Sequence, residues 1–309
     1  MPTSPESTPS GPARHRPSRR TVILGAGAAA VLIAGGATAA AISSRRPAPT
    51  TPGKLVSPLL ASERFTVAHH GSDLDWPEES GYAYRRSVEA GVDALEVSLA
   101  RTSDGIWFGL HDATLDRTSG TKDFVAADHT WSEVLQHRIT SAGTSDRAQP
   151  ARPYVRFVDL LDAYGATHTF FVDPKVVDAT HFDELLDLIG KHVPHPADTV
   201  IAKGYCTATA WGSFARKHGL ETWGFYYGNE IEGQKNLLAS TQETWSTVGL
   251  NYTATAAQWA MMQALGKTMI GHVLPSAEAA RESLDRGATG LMIASLEKTL
   301  GGLPSPSPS

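Results

Sequence analysis

The chain has 309 residues, of which 41% are hydrophobic and 19% charged. That supplies apolar matter for one large core and excludes a mainly disordered protein. The formal charge of -5 is unevenly spread: residues 1–46 carry six arginines against Glu6, so the remainder is strongly acidic. An acidic body repels phosphate backbones and argues against a nucleic-acid partner. With Cys206 as its single cysteine, the chain makes no internal disulfide and no cysteine metal cluster; Cys206 is expected as a small buried thiol.

Taken in chain order, residues 1–17 are rich in Pro, Ser and Thr without apolar periodicity and are expected to be disordered. Residues 18–42 read as an export signal, with Arg19 and Arg20 ahead of an apolar, Gly- and Ala-rich run that ends at Ile42. The arginine pair points to the twin-arginine route. The rival reading is a retained membrane anchor over residues 21–42, since about 20 apolar residues can span a bilayer. Either way the protein is expected to be exported, extracellular or associated with the cell envelope. Residues 43–61 read as a linker, 62–300 as one folded domain and 301–309 as a disordered tail.

Within 62–300, apolar runs of strand length alternate with helical patterns, the rhythm of βα units around a parallel sheet. The predicted strands are Phe65–Ala68, Val92–Leu99, Ile106–Leu110, His168–Val172, Thr199–Ala202, Thr222–Phe225, Ser246–Leu250, Thr268–Val273 and Gly290–Ala294. Predicted helices include Phe182–Gly190, Thr207–His218, Ala256–Leu265 and Ala277–Arg286, with Gly219 and Gly287 closing the second and fourth. Only Arg101–Gly105 separates the second strand from the third, and a parallel crossover needs a dozen or more residues. That pair must be an antiparallel hairpin. Removing its return strand leaves eight, the number of a TIM (β/α)8 barrel. The hairpin brings His111 back beside Glu96, at the C-terminal mouth where barrel enzymes keep their active sites.

Three segments concentrate chemistry. Val67-Ala68-His69-His70-Gly71 leads into Pro77-Glu78-Glu79-Ser80. Gly91-Val92-Asp93-Ala94-Leu95-Glu96-Val97-Ser98 is followed by Thr102-Ser103-Asp104-Gly105 and then Leu110-His111-Asp112 through Leu115-Asp116-Arg117-Thr118. Val172-Asp173-Pro174-Lys175 ends the next strand. In order and spacing these resemble the glycerophosphodiester phosphodiesterase family over roughly residues 66–175, and are similar to the related venom phospholipase D toxins, which share Asp-x-Lys at the third segment.

The resemblance implies a phosphodiester hydrolase acting on glycerophosphodiesters or lysophospholipid head groups. His69 and His111 are its acid–base pair, Lys175, His70 and Glu78 contact substrate, and Glu96, Asp173 and Ser98 surround a divalent cation, Ca2+ or Mg2+. The residue chemistry agrees. Histidine titrates near working pH, so a pair can deprotonate a nucleophile and protonate a leaving oxygen. Carboxylates at strand ends are hard oxygen ligands, Glu96 and Ser98 share one strand face, and Lys175 offers phosphate a point charge. Asp116 and Arg117 read as a local ion pair, and His168, His181, His192, His195 and His218 as surface or packing residues.

Two positions depart from the pattern. His70 stands where the family has arginine. Ser98 stands where it has a second carboxylate, which leaves two negative charges instead of three and should weaken metal binding. The alternative function kept open is a catalytically weak barrel that binds a phosphate-bearing ligand at the envelope.

Overall fold

The computed structural model describes residues 53–140 and 150–303. The expected N-terminal region, the signal or anchor, the greater part of the linker and the end of the tail lie outside these residues.

Nine strands form one sheet: β1 Phe65–Ala68, β2 Ala94–Arg101, β3 Trp107–Gly109, β4 Thr169–Asp173, β5 Val200–Tyr205, β6 Glu221–Tyr226, β7 Thr247–Asn251, β8 Thr268–Leu274 and β9 Gly290–Ile293. Eight of them pair in parallel in the order β1-β2-β4-β5-β6-β7-β8-β9, and β9 returns to β1 through Phe65↔Gly290 and Ala68↔Ile293. This is the closed TIM barrel that the strand count predicts. β3 pairs antiparallel with β2, with Leu99 opposite Gly109 and Arg101 opposite Trp107. That register sets residue 111 against residue 97, as the hairpin argument requires.

Helices connect the parallel strands, among them Gly81–Glu89, Phe157–Tyr164, Phe182–His192, Thr209–Lys217, Ala256–Gln263 and Ala277–Asp285. Their starts follow local chemistry. Ser80, Thr255 and Ser276 each accept a backbone N–H through the side-chain hydroxyl, satisfying a donor that the first helical turn leaves free. Gly219 and Gly287 adopt φ of 79° and 86° just past two helix ends, a conformation open to glycine at little cost.

The barrel is filled by alternate residues of its strands. Phe65, Val67, Ala94, Phe171, Ile201, Trp223, Ile270 and Met292 form one buried cluster, while the intervening residues, such as Leu95, Val97, Val172 and Ala202, pack in the cluster shared with the helices. Burying each large side chain contributes roughly 1.5–3 kcal/mol. The interior cluster also contains Val56 and Leu59, and the expected linker is corrected here: Val56–Leu60 is a short helix. Lys54 anchors its approach, donating to the Asp93 carbonyl at 2.9 Å and accepting from the Thr169 N–H at 2.8 Å. Two apolar side chains at positions 56 and 59 thus close the end of the barrel opposite the motifs. The C-terminal boundary moves as well, because Leu300–Gly302 forms a 3-10 turn.

Period-two alternation positions the chemistry. Continuing inward from Ala94, Phe171 and Ile201, the next residues on the same strand faces are Glu96 and Ser98, Asp173, and Lys203. All four are buried.

Candidate active site

β1 ends in a single 3-10 turn, His69–Gly71, that turns both histidines over the barrel mouth. His70 sits at φ 47° and Gly71 at φ 75°. A Cβ on Gly71 would meet Ala83 Cβ at 2.8 Å, so the turn requires glycine on grounds of both conformation and space. The left-handed backbone of His70 is costly for a non-glycine residue. It is held by a bond from the His70 N–H to Glu96 Oε2 at 2.7 Å.

Three imidazoles gather at the mouth. The His70 ring lies between the other two, its centroid 3.8 Å from that of His69 and 4.9 Å from that of His111. Each outer histidine is braced at Nδ1 by its own carboxylate: His69 by Asp73 Oδ1 at 2.9 Å and His111 by Asp112 Oδ1 at 2.7 Å. A brace at Nδ1 fixes the ring and leaves Nε2 for chemistry. Lys175 Nζ lies 2.6 Å from His111 Nε2, so in this state the neutral His111 ring accepts from the ammonium.

The environments push the outer pair apart. Burial opposes a charge on His69, but the Asp73 carboxylate beside it outweighs burial and raises its pKa. Burial and then Lys175 lower the pKa of His111 against the pull of Asp112. Burial, followed by the charges of His69 and Lys203, holds His70 neutral with a pKa well below the usual histidine value. The site therefore favours the charged form of His69 and the neutral forms of His70 and His111, the division of labour expected of an acid–base pair.

Below the histidines, a side chain that the motifs did not point to stands among Glu96, Asp173 and Ser98, where the cation is expected. Lys203 Nζ donates to Glu96 Oε1 at 2.9 Å and to Asp173 Oδ2 at 3.1 Å. Ser98 Oγ faces the same space, 3.3 Å from Glu96 Oε1 and 3.4 Å from His70 Nε2. The signal for Lys203 was its place two residues after Ile201 in an otherwise apolar strand, which puts an ammonium inside the barrel. Its pKa is raised, Glu96 and Asp173 together overcoming the burial that disfavours its charge.

Glu79 is the second residue that sequence reasoning missed. Its carboxyl accepts from the Ser98 N–H at 2.8 Å and from the Tyr84 hydroxyl. Burial, and then the neighbouring charge of Glu96, raises its pKa well above the usual carboxylate value. Among the described residues, two groups of side chains lie close enough to share a metal ion: His70 with Glu79 and Glu96, and His69 with His70 and Asp73. Both mix nitrogen with oxygen, unlike the all-oxygen set expected for Ca2+ or Mg2+.

Glu78, expected as a substrate contact, is corrected. It is buried and gripped by Arg117 through Nη1–Oε2 at 2.7 Å and Nη2–Oε1 at 2.6 Å. The guanidinium fork matches a carboxylate face to face. Arg117 also holds Asp112 Oδ2 at 2.6 Å, so it supports the brace on His111 rather than pairing with Asp116. Asp116 instead accepts the N–H groups of Asp123 and Phe124.

A cavity of about 340 Å³ opens at this mouth, with His69, His111, Lys175 and Lys203 on one side and an aromatic wall including Tyr205, Trp223, Phe225 and Tyr227 on the other. His272 completes the lining. Burial pushes its pKa down to about 3 and its Nε2 lies 3.0 Å from the Tyr226 carbonyl, so it is a neutral donor with a structural bond. A larger cavity of about 450 Å³ lies beside the hairpin; Thr102 and Ser103 of the motif segments line it, but none of the predicted site residues does. None of His168, His181, His192, His195 and His218 lines the mouth cavity. Among the described residues, no helix is long and apolar enough to cross a membrane.

Comparison with known proteins places this geometry. A model of the "Glycerophosphoryl diester phosphodiesterase family" matches residues 69–187. A glycerophosphodiester phosphodiesterase of Bacillus subtilis is 28% identical over 129 residues, 39% of this chain and 43% of that protein. One from Arabidopsis thaliana is 38% identical over 66 residues, 21% of this chain and 18% of that protein. Both matches span less than half of the relative. Among solved structures, a glycerophosphodiester phosphodiesterase from Agrobacterium tumefaciens superposes with a TM-score of 0.60 at 16% identity, covering 77% of this chain and 99% of that one. A phosphodiesterase from Oleispira antarctica in complex with the product sn-glycerol-3-phosphate superposes with a TM-score of 0.63 at 15% identity, covering 78% and 97%. These likenesses show the barrel fold.

Proposed function

The chain belongs, through residues 69–187, to the glycerophosphoryl diester phosphodiesterase family, and from that premise we propose that it hydrolyses phosphodiesters of the glycerophosphodiester or lysophospholipid head-group class. One observation carries the reading: His69 and His111 flank one cavity, each braced at Nδ1 by its own carboxylate, with pKa values moved in opposite directions.

Neutral His111 is the base. An incoming phosphate draws Lys175 toward its oxygens and frees the Nε2 lone pair to take the proton of the nucleophile. Protonated His69 is the acid and delivers its Nε2 proton to the leaving oxygen. Because the base titrates below the acid, most of the enzyme is in the productive protonation state between the two pKa values, and the rate profile is a bell. Lys175 contacts the phosphoryl oxygens directly. The buried His70 gives no bidentate grip and acts as a neutral donor or packing surface under the other two rings.

The developing negative charge needs a positive partner. Calcium or magnesium is the ion the oxygen ligands call for, but the ammonium of Lys203 already bridges Glu96 and Asp173. The residues present therefore do not fit the three-ligand oxygen site. The aromatic wall offers faces for a head group.

The test is incubation of purified protein with glycerophosphocholine and lysophosphatidylcholine, with product analysis. Release of a monoester such as sn-glycerol-3-phosphate supports attack by water, and a cyclic phosphate supports attack by a substrate hydroxyl. Saturable binding of sn-glycerol-3-phosphate with no turnover of either substrate would favour the second reading, a phosphate-binding barrel, for which the serine at position 98 is the specific support.

We also propose that the protein is exported by the twin-arginine route, on the strength of Arg19 and Arg20 ahead of the apolar run.

A further inference from the structure

We propose that the ammonium of Lys203 is the permanent cation of this site, standing where the motif resemblance places a divalent metal ion. The proposal deepens the phosphodiesterase reading, and its binding arm is independent of that reading.

Four observations converge. First, Lys203 contacts both carboxylates that would be the principal ligands, at 2.9 and 3.1 Å, and all three groups are buried. Second, the remaining Glu96 oxygen is occupied, since Oε2 accepts the His70 N–H. A metal entering here would displace the ammonium and a backbone donor together. Third, the third ligand position is Ser98, whose hydroxyl carries no charge. Two carboxylates facing one ammonium leave a single net negative charge, whereas a site with a divalent ion added would hold three positive charges against two negative ones in a nearly water-free interior. Such an excess is strongly disfavoured there. Fourth, Glu79 cannot make up the deficit, because both its oxygens are engaged, one by the Ser98 N–H and the other by the Tyr84 hydroxyl.

The serine at 98 and the lysine at 203 thus belong together: removal of one negative ligand and insertion of one fixed positive charge leave a local balance that needs no ion. Lys203 also lines the cavity with His69, His111 and Lys175, so its charge lies beside the position of the reacting phosphate. It cannot be stripped by a chelator.

Calorimetric titration of chelator-treated protein with calcium chloride and magnesium chloride tests this. Wild type is expected to show no saturable binding tighter than about 1 mM, the range of the weakest protein calcium sites. Lys203→Met uncovers Glu96 and Asp173 and should bind at least tenfold more tightly, and Lys203→Met with Ser98→Asp more tightly again. Ser98→Asp alone, with the lysine in place, should bind at least tenfold more weakly than that double variant. Lys203→Gln keeps a hydrogen-bond donor without the charge and serves if Lys203→Met fails to fold. Hydrolysis of glycerophosphocholine by wild type should be unchanged by a chelator. Micromolar calcium or magnesium binding by wild type, or equal affinity with and without the lysine, would overturn the proposal. If no form hydrolyses any phosphodiester, the functional reading fails, and calorimetry still decides the identity of the cation.

Discussion

Replacing Arg117 by methionine should both destabilise the barrel and slow catalysis. The guanidinium makes two bonds to Glu78, at 2.6 and 2.7 Å, and one to Asp112 at 2.6 Å. Glu78 has only 5% of its surface exposed, so its carboxylate would be left with little water and no cation. Breaking a fully buried pair from one side costs about 3–5 kcal/mol. The Arg117 side chain is 47% exposed, and solvent screening reduces the effect to about 2 kcal/mol. In a domain of this size that corresponds to a fall in Tm of about 4–8 °C, readable by thermal or denaturant unfolding. The Glu78→Gln change in the Arg117→Met background should recover at least half of the loss, because it removes the orphaned charge; this coupling is the signature of the pair. The rate should fall too, since Asp112 loses the group that holds it against His111. Unfolding within about 0.5 kcal/mol of wild type would refute the reasoning.

Further outcomes follow from the same site. Asp73→Asn removes the charge that raises the His69 pKa, so the alkaline limb of the rate profile, which needs His69 protonated, should move to lower pH; an unmoved limb would take His69 out of the acid role. Lys175→Met removes a charge that lowers His111, so the acid limb, which needs His111 neutral, should move to higher pH while the rate drops; an acid limb that stays in place would separate Lys175 from the base. Arg19→Lys together with Arg20→Lys should leave the protein inside the cell by fractionation, and normal secretion of that variant would exclude the twin-arginine route.

The barrel was legible because its strands are apolar runs bounded by helices with clear stops, and because a five-residue connection cannot make a parallel crossover. The hairpin in turn places His111 beside β2. The edges were less legible. Val92 and Asp93 belong to the approach to β2, where the Asp93 carboxylate accepts the Thr66 N–H and hydroxyl, and tertiary bonds of that kind leave no local pattern. His69, His111 and Lys175 do converge on one cavity, which Lys203 also lines, while His70 is packed between the two histidines and is not part of the cavity lining. Glu96, Ser98 and Asp173 sit beneath the cavity around Lys203. Glu78 is at fault in role rather than place, because its partner Arg117 lies 39 residues away and beside an aspartate that looked the nearer match. Lys203 was missed because a lone lysine at a strand position reads as solvent-facing unless the strand's neighbours are known. Asp73 was within reach, four residues after His69, but i,i+4 spacing carries weight only on a helix and His69 is in a 3-10 turn.

The central claim is that His69 and His111 work as an acid–base pair on a phosphodiester. Its most direct test is the pH dependence of glycerophosphocholine hydrolysis by wild type, His69→Ala and His111→Ala. The account predicts a bell for wild type, loss of about 10²–10⁴ in rate for each variant, loss of the alkaline limb in His69→Ala and loss of the acid limb in His111→Ala. Wild-type turnover in either variant, or a variant profile that keeps both limbs, would contradict it.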